Sequence, residues 1–426
     1  MVIESLKYKI LQQFGFAPTQ EQGQALDTFV SFLTDRDPQA VMILRGSAGT
    51  GKTSLSGAIV RTLLQIRQKV MLLAPTGRAA KVFSLGSGAP AYTIHRRIYR
   101  EKAFAGVDGQ FGLNDNLYTD TLFMVDEASM IANMGLGGTT FGSGCLLDDL
   151  VKFVYQGHND RLLLIGDKAQ LPPVGEEESP ALSASVMEGY GLKVYECDLN
   201  EVLRQSQSSG ILYNATLIRQ MITHDAVTGL PLIRFKGFAD IVMMPGAELV
   251  ESLGDSYHHV GMDETMVITR SNKRANIYNN GIRNMVLDRE EELSSGDMLM
   301  IVKNNYFWTE KEKKESGEGS AGAVPAFLAN GDRAKVLRVS NYIELYGFRF
   351  ATLLLQLPDY DDYEMQVTGM LDTLQSEAPA LTHEQQEELF RQVEEDYQHF
   401  VPLKADRMKS IRQDAYFNAL QIKYAN

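Results

Sequence analysis

Nine residues, GSAGTGKTS from Gly46 to Ser54, constrain this chain more than any other stretch. Gly46, Gly51, Lys52 and Thr53 set the frame Gly, four residues, Gly, Lys, Thr. The apolar run Val41 to Leu44 precedes them, and Ser54 to Gln68 has the composition of a helix. Strand, glycine loop and helix are the context a phosphate-binding loop requires. Glycines let the backbone curl so that the N–H groups of Ser47, Ala48, Gly49, Thr50 and Gly51 face phosphate oxygens, aided by the helix N-terminus. In that frame Lys52 reaches the β- and γ-phosphates of ATP, and the Thr53 hydroxyl holds Mg²⁺. The bland alternative, a glycine-rich turn before a helix, does not need the lysine or the threonine.

Forty-one basic residues against fifty-four acidic ones leave a net charge of −13. That balance speaks against a broad basic coat for duplex DNA, but it leaves room for a local basic groove. Cys145 and Cys197 have no CxxC or histidine spacing and read as reduced packing residues of a cytoplasmic protein. No apolar run reaches the ~18 residues of a membrane span, and the first nineteen residues lack a signal-peptide core.

Residues 1–205 alternate short apolar runs with helical patterns. VMIL, KVMLLA (69–74), TLFMVD (121–126) and RLLLIGD (161–167) are near-continuous apolar strands, as in a parallel sheet covered on both faces. This is an α/β class, a doubly wound parallel sheet around a P-loop. Met130 to Gly144 reads as a mobile loop. A second α/β segment is expected over 206–295, with Thr265 to Arg270 as its clearest strand. Residues 296–382 turn β-rich, interrupted by a disordered stretch over 310–323, and 383–426 are helical in period with Pro402 as a break.

Further chemistry sits at strand ends. TLFMV runs into Asp126-Glu127. Asp126 suits Mg²⁺, and Glu127 suits orienting and deprotonating the attacking water. On its own such a pair is as readily an acidic turn. After RLLLIGD, Gln170 offers an amide to the γ-phosphate, stiffened from behind by Pro172-Pro173. Arg204, in LNEVLRQ, stands where a cation can neutralise transition-state charge, although a lone arginine is more often a surface ion pair. In APTGRAAK, Thr76, Arg78 and Lys81 are candidate phosphodiester contacts. YTIHRRIY places His95, Arg96 and Arg97 between two tyrosines, a composition suited to single-stranded nucleic acid. A core or capping histidine is the competing reading of His95.

Taken together and in order, Gly46–Ser54, APTGRAAK, Thr93–His95, Val125–Met130, GDKAQLPPVG and LNEVLRQ resemble the motifs of superfamily-one DNA helicases of the RecD/Dda-like branch. The resemblance implies two RecA-like units that clamp ATP and ratchet single-stranded DNA 5′→3′. It implies Gln22, in TQEQGQAL, as an adenine-reading glutamine. Pro75, Thr76, Arg78, Lys81, Thr93 and His95 would lie on the DNA path. So would Asn272, in ITRSNKRANIYN at the start of the second motor unit. FLANGDRAKVL would belong to an SH3-like insertion. The family's later Thr-x-His-Lys-x-Gln-Gly and Thr-Arg-Ala motifs do not occur, which is the expectation for a chain cut before its last two motifs. The rival readings are another P-loop ATPase switch and a non-catalytic nucleotide- or DNA-binding remnant.

Overall fold

The computed structural model describes residues 2–103, 110–134, 142–201, 209–223, 229–316, 324–325 and 327–425. Two compact units divide the chain, one reaching to Met243 and the other starting at Met244.

The first unit opens with α1 (Val2–Phe14) and α2 (Gln20–Leu33), then β1 (Ala40–Gly46), α3 (Lys52–Gln65), β2 (Lys69–Ala74), α4 (Gly77–Ser87), β3 (Ala91–Thr93) and α5 (Ile94–Ile98). A hairpin of β4 (Tyr99–Ala103) and β5 (Gln110–Leu113) follows, then β6 (Thr121–Val125), α6 (Leu146–Gln156), β7 (Arg161–Gly166), α7 (Ala184–Gly189), β8 (Lys193–Leu199) and α8 (Gly210–Thr223). Six strands form one parallel sheet in the order β3-β2-β6-β7-β1-β8. Alternate residues of β1 enter opposite cores. Met42 and Leu44 pack with Phe29, Leu55 and Leu63 on one face. Val41 and Ile43 pack with Phe123, Leu150 and Phe153 on the other. That two-sided burial is why β1, β6 and β7 carry no polar alternation. It is the RecA-like P-loop fold expected from the sequence.

Register then places the chemistry. β6, β7 and β1 are neighbours, with Val125 opposite Leu164 and Arg45 opposite Gly166. The residues that follow each strand therefore emerge side by side at the carboxyl edge, where ligands collect in open α/β sheets.

The second unit contains α9 (Leu249–His259), α10 (Asn272–Met285), β9 (Met298–Ile301), α11 (Phe307–Ser316), β10 (Arg333–Leu345), β11 (Phe348–Leu357), β12 (Tyr363–Met370), α12 (His383–Phe400), α13 (Lys404–Arg412) and β13 (Leu420–Tyr424). The five strands close a barrel in the order β10-β11-β12-β13-β9 around Leu299, Val336, Leu353, Val367 and Ile422. Tyr346 and Gly347, both at positive φ, make the two-residue turn joining β10 to β11. Asp297, fully buried, accepts from Arg283 Nε at 2.9 Å and from Arg289 at 2.7 Å, which ties α10 to the barrel.

Several expectations need correction. The first unit does not stop at 205 but extends to Met243. Thr265–Arg270 is not a strand, and among the described residues of 206–295 there is no sheet. The apolar run Met266 to Ile268 made that stretch look like one, but no partner strand pairs with it among the described residues. Residues 310–316 belong to α11, not to a disordered stretch, and 317–323 lie outside the described residues. The segment 383–426 is helical only as far as Arg412, since its last residues form β13. Of the loop expected over 130–144, residues 135–141 lie outside the described residues.

β13 pairs parallel with β12 and antiparallel with β9, so barrel closure depends on it. Replacing the fully buried Ile422 by alanine should cost about 2–5 kcal/mol of barrel stability. Chemical denaturation followed by the fluorescence of Trp308, itself in the barrel core, measures this.

Candidate nucleotide site

The glycine loop leaves β1 at Gly46 and enters α3 at Lys52. Gly49 and Gly51 adopt φ of 83° and 85°, a left-handed geometry that glycine takes without strain. Gly51 also has no room for a side chain, because a Cβ there would lie 2.7 Å from Gln22 Nε2. At Gly46 a Cβ would meet Leu199 and Thr50 at 2.9 Å. The loop is braced from within by Thr50 Oγ1, which donates to Ser47 O at 2.8 Å. It is braced from outside by Gln22, whose Nε2 donates to Thr50 O at 2.9 Å. The Gln22 Oε1 accepts from Thr19 N at 3.0 Å in the capping box of α2. Both ends of the Gln22 amide are thus engaged by protein, and the side chain is buried.

Lys52 Nζ donates to Ser47 O at 2.9 Å and to Gly46 O. Burial pulls its pKa down, and the carboxylates of Asp167, Glu127 and Asp126 oppose that pull. Arg219 on α8 adds a second positive charge within range of Lys52 and pushes the same way as burial. Thr53 and Ser54 are exposed on the first turn of α3, where backbone N–H groups have no intrahelical partner.

Asp126 follows β6 and is pushed up to about 6, first by burial and then by repulsion from Glu127, while Lys52 and the Glu127 N–H pull it back. Glu127 stands at φ 54°, left-handed without being glycine. Asp167, buried after β7, accepts from Ala169 N at 2.9 Å. It is absent from the residues that the sequence singled out, which in this turn are limited to Gln170. The signal was present as a carboxylate ending an apolar strand beside the other two. Arg219 carried no comparable signal. Gln170 is exposed, and its Oε1 accepts from the fully buried Ser129 Oγ at 3.0 Å. Arg204 lies outside the described residues. Among the described residues no group of three or more His, Cys, Asp or Glu forms a metal-holding cluster.

The two stretches expected on the DNA path meet at the sheet edge, since Ala74 pairs with Thr93. Pro75 leads into Thr76, which caps α4 by accepting from Ala79 N at 3.2 Å; Thr93 caps α5 by accepting from Arg96 N at 3.3 Å. Arg78 and Arg96 are exposed, and Lys81 is half-buried. His95 is largely buried against Tyr99, and that burial lowers its pKa. The tyrosines of this stretch are engaged by other protein groups. Arg97 sits between the rings of Tyr92 and Tyr118, at 4.9 and 5.3 Å from their centroids, and Tyr99 donates to Asp149 at 2.7 Å. Asn272 opens α10 in the second unit and donates to Glu377 O at 3.3 Å. Both cysteines are free, and no described helix is long and apolar enough to cross a membrane.

The raised pKa of Asp126 has a stability consequence. The folded protein binds a proton at this site up to about pH 6, whereas the unfolded chain releases it near 3.8. Stability is therefore lost as pH rises through that window. Asp126→Asn removes the buried charge and should stabilise the protein at pH 7 by roughly 1–3 kcal/mol, with little gain at pH 4. Urea denaturation at the two pH values reads the difference.

A family model described as an AAA domain matches residues 17–229. The ATP-dependent RecD2 DNA helicase of Deinococcus radiodurans is 30% identical over 157 residues, which is 37% of this chain and 18% of that protein. The ATP-dependent DNA helicase dda of Enterobacteria phage T4 is 25% identical over 267 residues, 61% of this chain and 55% of that protein. The chain thus spans about half the length of the phage T4 helicase and less than a fifth of the D. radiodurans one. The crystal structure of a Pif1 helicase from Bacteroides with ADP-AlF3 and ssDNA is 14% identical, with 82% of this chain and 74% of that one covered at a TM-score of 0.37. A TM-score that low adds nothing to the fold derived above. The two relatives bear out the resemblance to RecD- and Dda-type helicases carried by the motifs. With a phosphate loop whose lysine faces three strand-end carboxylates, and a family model spanning half of its length, the chain belongs to this AAA-domain family.

Proposed function

We propose that this chain is the ATP-hydrolysing motor portion of a cytoplasmic DNA helicase of the RecD/Dda type, moving 5′→3′ on single-stranded DNA. The observation that carries the reading is the grouping of Lys52 with Asp126, Glu127 and Asp167 beside a glycine loop that excludes side chains. Lys52 exchanges its bonds to the Gly46 and Ser47 carbonyls for the β- and γ-phosphates. Glu127 takes the proton of the attacking water. Gln170 and Arg204 meet the γ-phosphate. Gln22 would offer adenine the amide hydrogen that its bond to Thr50 leaves over. The donor set of the Thr53 hydroxyl and the Asp126 carboxylate fits a hard cation that keeps most of its waters, and Mg²⁺ there would neutralise phosphate charge. DNA would run over Thr76, Arg78, Lys81, Thr93 and His95; within the second unit, Asn272 would be a DNA contact of its own.

Lys52→Ala should weaken Mg-ATP binding at least tenfold by calorimetry. Glu127→Gln should keep binding and lose roughly a hundredfold or more in hydrolysis. Equal loss of both would make Glu127 structural.

Affinity for an oligothymidine should fall with salt as phosphates release counterions, and replacing Arg78 and Lys81 together should flatten the log–log slope by about one to two units. An unchanged slope moves the DNA path elsewhere. ATP hydrolysis indifferent to single-stranded DNA would favour a P-loop switch over a translocase.

A further inference from the structure

The carboxylate turn and the γ-phosphate loop are joined by contacts that neither the motifs nor the proposed roles assign. Ser129 lies two residues after Glu127, in the single 3₁₀ turn Ala128–Met130, and is fully buried. Its hydroxyl donates to Gln170 Oε1 at 3.0 Å. Close approach of the two segments requires Gly166, since a Cβ at that position would lie 3.1 Å from Ser129 N and 2.8 Å from Leu182 Cδ1. A second tie lies a few residues on, where Glu176 Oε1 accepts from Asn133 N at 2.6 Å and from Met134 N at 2.9 Å.

A glutamine amide has a donor end and an acceptor end, and only one of them suits a phosphate. A buried hydroxyl seldom leaves its hydrogen unpaired, so Ser129 selects the oxygen end of Gln170. The part of the amide then left to meet a ligand is the NH₂ group, with two donors.

We propose that Ser129 is a positioning residue: it fixes the Gln170 amide with its donors available to a terminal phosphate, and thereby ties recognition of that phosphate to the turn carrying Glu127. The proposal rests on the nucleotide-hydrolysing reading above. Ser129 touches no substrate and acts only through Gln170.

Binding of ADP and of the slowly hydrolysed adenosine 5′-O-(3-thiotriphosphate), each with Mg²⁺, separates this role from a structural one. The unaltered chain should prefer the triphosphate. Ser129→Ala should keep ADP affinity within about twofold and lose roughly three- to tenfold of that preference, the worth of one hydrogen bond. Gln170→Glu still accepts from Ser129 but has no donors, so it should lose the preference as well. The double variant Ser129→Ala/Gln170→Ala should be no worse than Gln170→Ala alone, because both changes remove one interaction. Equal loss of ADP and triphosphate affinity in Ser129→Ala would make it a packing residue and overturn the proposal. Full additivity in the double variant, an unchanged preference in either single variant, or equal affinities in the unaltered chain would do the same. An unaltered chain that binds neither nucleotide would instead remove the nucleotide reading itself, and the proposal with it.

Discussion

A lysine ammonium at the N-terminus of a helix is held against the electrostatics of its surroundings. The first turn of α3 carries the positive end of the helix dipole, and burial removes the water that would solvate the charge. Arg219 adds to the repulsion. What compensates is the carboxylate group formed by Asp167, Glu127 and Asp126, together with the carbonyls of Gly46 and Ser47. Those carboxylates can stand around Lys52 only because β6, β7 and β1 are neighbours in register, ending at one edge. The sheet order is therefore a requirement of the charge balance, and the two buried faces of the sheet hold that order in place. The cost falls on Asp126, whose carboxyl is pushed up to about 6 by burial first and by the neighbouring Glu127 second. A polyphosphate with its cation answers both imbalances, giving Lys52 an anion and Asp126 a counter-charge.

The glycines express the same confinement in steric form. Gly51 yields to Gln22, Gly46 to Leu199, and Gly166 to the Ser129 backbone and Leu182. Each contact brings a second segment of chain against the loop or its neighbouring turn. The capping box of α2 thus does more than start a helix, because the residue that completes it, Gln22, also holds the phosphate loop.

How much of this was legible follows from burial. β1, β2, β6 and β7 were readable as apolar runs because they are inner strands covered on both faces. β8 was not read, since it is an edge strand with alternating half-exposed positions, and its charged Glu196 and Asp198 serve the buried Arg45 at 2.8 and 2.7 Å. The loop, Asp126-Glu127 and Gln170 were legible because their chemistry depends on strand-end position, which sequence preserves. Asp167 ends an apolar strand just as Asp126 does and was legible on the same ground, whereas Arg219 acts on Lys52 from a separate helix, which a linear reading does not give. The error at Thr265–Arg270 has the opposite cause: an apolar run describes a strand that could pair, and pairing is decided by other segments. Closure of the barrel by β13 was equally hidden, because Ile422 pairs with Ile301 across a long stretch containing three further strands and three helices.

The sheet edge expected to carry DNA is more committed to its own structure than its composition suggested. Arg97 is spent between two tyrosines, Tyr99 is held by Asp149, and Thr76 and Thr93 have capping duties. The solvent-facing cations there are few, chiefly Arg78 and Arg96, on a protein of net charge −13. On the proposed reading, a strand held by so few charges would attach weakly and in a salt-sensitive way. On the proposed reading, grip would then have to come from nucleotide-dependent rearrangement of the two ends of β2 and β3, not from static affinity. The capping threonines suit that, because a cap that holds a helix N-terminus also fixes where the N–H groups of that helix point.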